Sequence, residues 1–122
     1  MTALRTVLIA EDDADLRLAL KLALEAAGYS VQVAANAQEA LAAQRRHPAE
    51  IVVTDIFMPE SDGFEAIVGF RREFPRTKIV AVSGGSQRGK LDYLASARLM
   101  GADATLQKPF EIDALLETLR AL

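Results

Sequence analysis

The chain contains no cysteine, which excludes disulfides, thiolate metal sites and thiol catalysis. It has a single histidine, His47, so no histidine-based metal cluster can be built from it. The apolar run after Met1 is too short for a membrane span or a secretory signal, so a cytoplasmic protein without membrane contact is the default expectation. No basic patch interrupts a net charge of −3, and direct nucleic-acid binding is not expected. No glycine-rich phosphate fingerprint follows the first apolar run. Glu11-Asp12-Asp13 stands there instead and would repel phosphates unless a metal intervened, which argues against a nucleotide-binding domain. Linkers, internal repeats and low-complexity tracts are also missing. What remains is 122 residues, 51% hydrophobic and 25% charged, enough for one globular domain with a real core. A single domain over 1–122 is expected, with no output domain in this chain.

Thr6–Ala10 is a short apolar run and reads as a buried strand. From Asp15 to Ala27 apolar residues recur at helical spacing, with Asp13 as N-cap and Gly28 as the stop. Ser30–Ala34 alternates polar and apolar, a more exposed strand. Asn36 caps a second helix reaching about His47, ended by Pro48. Ile51–Thr54 is a β-branched run that leads straight into Asp55 and a turn from Met58 to Gly63. A helix follows over Gly63–Phe74, then a strand over Lys78–Val82 and a helix from Gly89 to Met100 stopped by Gly101. The chain closes with a strand over Ala104–Gln107 and an amphipathic helix over Glu111–Leu122. Five strand–helix repeats demand an α/β fold: a parallel sheet with helices on both faces and right-handed crossovers.

In a parallel sheet all strand C-termini share one edge, where ligands bind. That edge collects Glu11, Asp12 and Asp13 from the first strand, Asp55 from the third, Ser83 from the fourth and Lys108 from the fifth. Acids converging without histidine or cysteine suit a hard cation with oxygen ligands, most simply Mg²⁺. A lysine and a hydroxyl facing that cation can hold the oxygens of a phosphoryl group, and one carboxylate can attack phosphorus. Each residue alone has an ordinary role: Asp13 as a cap, Asp55 as a turn former, Ser83-Gly84-Gly85-Ser86 as loop, Lys108-Pro109 as a strand terminus. The coincidence of four strand ends, each carrying the group needed, outweighs those roles.

The acid pair, the segment Asp55-x-x-Met58-Pro59-x-x-Asp62-Gly63, Ser83-Gly84 and Lys108-Pro109-Phe110 together resemble a response-regulator receiver domain, the CheY-like fold of two-component signalling. The likeness covers essentially the whole chain. It implies a flavodoxin-like (βα)5 doubly wound sheet of five parallel strands in order 2-1-3-4-5. It also implies that Asp55 is the phosphoacceptor, with Ser83 and Lys108 holding the phosphoryl group. Asp12 is then a direct Mg²⁺ ligand with Asp55, Glu11 acts through metal-bound water, and the backbone carbonyl of Phe57 is a further ligand. The Lys108–Pro109 bond is expected to be cis, and Gly84 to keep the site open to a donor. The implied partners are a histidine kinase or histidine phosphotransfer protein, and a downstream protein on the face formed by the fourth helix, fifth strand and fifth helix. The chain is expected as a monomer or weak dimer.

Three positions depart from the family pattern. Thr105 stands where an aromatic switch residue is usual, so the switch is expected in the loop from Ser83 to Ser86 and the start of the fourth helix, with Tyr93 as reporter. Phe57 and Gly85 flank the expected phosphoryl position, and neither side chain can orient a water by hydrogen bonding, which predicts slow self-dephosphorylation. Phe57 also stands where an aspartyl phosphohydrolase of the haloacid-dehalogenase pattern needs a second Asp, which argues against that enzyme class. A receiver acting by interaction alone is disfavoured because every phosphorylation residue is present.

Overall fold

The computed structural model describes residues 5–58, 61–83 and 90–122, and for 57, 58, 61–63 and 90–94 the backbone alone. Pro59, and the loop residues Gly84, Gly85 and Ser86, lie outside the described residues, as do the side chains of Phe57, Asp62 and Tyr93. Five strands form one sheet: β1 (Thr6–Ala10), β2 (Ser30–Ala34), β3 (Ile51–Asp55), β4 (Lys78–Ser83) and β5 (Ala104–Gln107). Every pairing is parallel and the order is 2-1-3-4-5, as expected for the flavodoxin-like arrangement. The helices are α1 (Ala14–Ala26), α2 (Ala37–Arg46), α3 (Gly63–Glu73), α4 (Lys90–Met100) and α5 (Ile112–Arg120).

Side chains along a strand alternate between faces, so each strand supplies two cores. Leu8, Ala10, Val52, Ile79 and Ala81 pack with Ala40, Ile67, Phe70 and Ala97 from α2, α3 and α4. The alternate residues Val7, Ile9, Ile51, Val53, Val80 and Val82 pack with Leu20 and Leu24 of α1 and Leu115 and Leu119 of α5. Each fully buried Leu or Ile contributes about 1.5–3 kcal/mol of transfer free energy. β3 lies at the centre and is buried along its whole length, so its only ionisable residue is left at its last position.

Caps fix where the helices begin. The Asp13 side chain accepts from the amides of Asp15 and Leu16, at 3.0 and 3.2 Å. Asn36 accepts from the Glu39 amide at 2.8 Å. Gly28, just past α1, has φ of +99°, which side-chain-bearing residues rarely adopt.

Several boundaries differ from the sequence reading by a residue or two. α1 starts and ends one residue earlier than expected, while β3 and β4 each extend to include their polar last residue, Asp55 and Ser83. α5 is shorter than Glu111–Leu122, because Glu111 keeps an extended backbone as N-cap and Ala121 is the C-cap. The expected turn after Asp55 contains a two-residue antiparallel ladder, Phe57–Met58 against Ser61–Asp62. Among the described residues no helix is long and apolar enough to cross a membrane.

Candidate functional site

The parallel register brings the four strand ends together. At the end of β1 the Glu11 amide donates to the Ala34 carbonyl at 3.0 Å, extending the ladder by one residue. Glu11 is thereby carried inward and is 3% exposed, while Asp12, next in the chain, is exposed. Asp13 turns its side chain to the α1 cap and leaves the site, and its amide donates to Glu11 Oε2 at 3.2 Å. Asp55 is 4% exposed and pairs in register with Val82. Ser83, one residue beyond Val82, is fully buried. Its carbonyl accepts the Lys108 amide at 2.9 Å, and the Lys108–Pro109 bond that follows is cis, as expected.

Lys108 joins the acids. Its Nζ lies 2.7 Å from Glu11 Oε1 and 2.9 Å from Asp55 Oδ2. Burial alone would push the lysine toward its neutral form, but its hydrogen bonds to Glu11 and Asp55, with their charges, outweigh that and raise its pKa. The ammonium is therefore kept. Burial raises the Glu11 carboxyl above the ordinary glutamate range; the Lys108 hydrogen bond opposes this and the nearby Asp55 charge adds to it.

Carboxylate oxygens of Glu11, Asp12 and Asp55 lie within 4.8 Å of one another. Opposite ligands around Mg²⁺ stand about 4.2 Å apart, so three acids at this spacing suit that ion with some contacts made through water. The donor set is all oxygen, as a hard cation requires. The backbone of Phe57, proposed for a carbonyl ligand, follows two residues after Asp55 within the short ladder.

Two contacts were not read from the sequence. Arg17, in the first turn of α1, donates from Nη1 to the carbonyls of Glu11 at 2.8 Å and Asp12 at 3.4 Å. A signal for it did exist: helix side chains lean toward the N-terminus, so the residue four after a cap overhangs the loop before it. Thr105 is half-buried and receives Arg98 Nη2 of α4 at 3.4 Å, so a polar contact occupies the place of an aromatic.

A family model described as the response regulator receiver domain matches residues 7–120. The C4-dicarboxylate transport transcriptional regulatory protein DctD of Rhizobium meliloti is 36% identical over 98% of this chain and 25% of its own length. The transcriptional regulatory protein PdtaR of Mycobacterium tuberculosis is 39% identical over 92% of this chain and 53% of its own. The chain thus spans between a quarter and about half of the length of these two curated relatives. Among solved structures, Vibrio cholerae chemotaxis protein CheY4 superposes with a TM-score of 0.87 at 30% identity, covering 98% of both chains. NtrX from Brucella abortus superposes with a TM-score of 0.89 at 26% identity, covering 98% of this chain and 27% of its own. The likeness runs from the first strand to the last helix in sequence and strand order alike, and this chain belongs to the response regulator receiver domains of two-component signalling.

Proposed function

We propose that Asp55 is the phosphoacceptor of this signalling domain, that phosphorylation depends on Mg²⁺, and that the donor is the phosphohistidine of a histidine kinase or phosphotransfer protein. The observation that carries this reading is the shared ammonium: Lys108 bridges Glu11 and Asp55, with Asp12 beside them. A carboxylate oxygen of Asp55 attacks phosphorus and the P–N bond breaks. The electron pair leaves with the imidazole nitrogen, which takes up a proton, and an aspartyl phosphate remains. Lys108 has three N–H donors, of which two meet the carboxylates, so one is left for a phosphoryl oxygen. Ser83, at the adjacent strand end, carries a hydroxyl that would donate to another. Asp12 and Asp55, with the Phe57 carbonyl, would hold the metal directly and Glu11 through a bound water. Mg²⁺, when bound, supplies positive charge against the phosphoryl oxygens as transfer proceeds.

The downstream partner is proposed to read α4, β5 and α5. Arg98 of α4 reaches Thr105 of β5 and ties two elements of that face together. A phosphohistidine donor is made from ATP, so the expected setting is the cytoplasm. The test is intact mass after incubation with acetyl phosphate and Mg²⁺. The wild type is expected to gain one phosphoryl group and Asp55→Asn none; equal labelling of both would remove Asp55 from the role.

A further inference from the structure

A cation in the first turn of a helix works against the helix dipole, whose N-terminal end is already positive. Arg17 occupies such a place, four residues after the Asp13 cap. Its guanidinium is turned back over the loop, where a single nitrogen donates to the carbonyls of both Glu11 and Asp12. These are the two acids whose oxygens gather with Asp55 within 4.8 Å. Elsewhere in the loop the Glu11 amide donates to Ala34, and the Asp13 amide, which shares a peptide plane with the Asp12 carbonyl, donates to Glu11 Oε2; the Arg17 contact adds a hold on the Glu11 carbonyl.

We propose that Arg17 is a positioning residue for the acid pair, holding the Glu11–Asp12 backbone so that both carboxylates face one cation. This rests on the reading of Glu11, Asp12 and Asp55 as the Mg²⁺ group. Its sign is informative. As a point charge, Arg17 repels Mg²⁺, and removing it would tighten binding. As a clasp on the loop, it prepays the ordering of two ligands, and removing it weakens binding. The structure favours the clasp, because the guanidinium is spent on two successive carbonyl oxygens of the ligand-bearing loop, the shorter bond being to Glu11.

Mg²⁺ titration calorimetry at constant ionic strength separates the two. Arg17→Met keeps the stem and loses the donor; it is expected to weaken Mg²⁺ binding about tenfold, the usual scale for residues that orient metal ligands. Because one nitrogen makes both contacts, an ammonium can replace it, and Arg17→Lys is expected to bind within about threefold of wild type. In metal-free protein, amide hydrogen exchange at Asp12 and Asp13 should speed up in Arg17→Met and Arg17→Gln and stay near wild type in Arg17→Lys. Mg²⁺ binding by Arg17→Met as tight as wild type or tighter, or unaltered exchange in both neutral variants, overturns the role of Arg17 alone. A wild type that binds no Mg²⁺ overturns the metal reading and this inference with it.

Discussion

Lys108 reaches Asp55 across an intervening strand. β4 lies between β3 and β5, and the lysine ammonium still stands 2.9 Å from Asp55 Oδ2 while meeting Glu11 at 2.7 Å on the far side. One cation therefore ties the first, third and fifth strand ends into a single charge group.

Removing that cation leaves two nearly buried carboxylates facing each other. Lys108→Met is expected to destabilise the metal-free fold by about 3 kcal/mol, the scale for orphaning one side of a buried ion pair. Mg²⁺ should recover part of the loss by supplying the missing charge. Urea denaturation with and without Mg²⁺ measures both, and an unchanged midpoint in metal-free buffer would show that the bridge does not matter to the fold.

Glu11 gives a pH dependence with a defined sign. Its folded pKa is raised, mainly by burial, so the folded state holds its proton more tightly than the unfolded chain. That contribution is fully present below the unfolded glutamate value, about 4.3, and is lost as pH rises through the raised folded pKa. Metal binding requires the ionised form, so the stabilisation by Mg²⁺ should grow over the same window. Comparing wild type with Glu11→Gln from acid to neutral pH isolates the group. Parallel stability curves for the two proteins would contradict the assignment.

Asp12 is exposed, makes no side-chain hydrogen bond or ion pair among the described residues, and lies with the other two acids. Asp12→Ala should leave the metal-free melting temperature nearly unchanged and abolish the rise on adding Mg²⁺, since only the folded chain presents the site. A rise equal to that of wild type would take Asp12 out of direct contact with the ion.

Far from this edge, Arg71 of α3 donates to the carbonyls of Pro75, Thr77 and Gly101 and to the Asp103 carboxylate, which also accepts from the Ile79 amide. Arg71→Ala should cost about 2 kcal/mol through the acceptors it abandons, without altering phosphorylation at Asp55. Lost labelling in a fully folded variant would show that this clasp acts on the site as well as on the fold.

The convergence of the site residues was legible wherever a residue's position follows from its place at a strand end. Asp55 and Ser83 each end an apolar run and Lys108 follows the short strand Ala104–Gln107, and a parallel sheet puts such ends on one edge whatever the details of packing. Asp13 was readable as a cap for the same local reason. The contacts of Arg17 and of Arg98 on Thr105 depend on where a long side chain folds back, which sequence periodicity does not report. Arg71 is harder still: its acceptors span residues 75–103 and three of its bonds go to backbone carbonyls, which carry no residue-type signal. The short ladder after Asp55 escaped because two residues per side are too few to show alternation.

The amide of Lys108 hangs on the carbonyl of Ser83 at 2.9 Å, so the hydroxyl-bearing residue and the ammonium-bearing residue are mechanically yoked through their backbones. A tug on the hydroxyl is passed to the lysine, and the reverse. On the proposed function, the pair is expected to move together, so that phosphorylation would shift both residues along one coupled path. Backbone amide shifts of residues 83 and 108 should change in proportion along a titration with beryllofluoride; separate midpoints for the two would mean that the yoke slips.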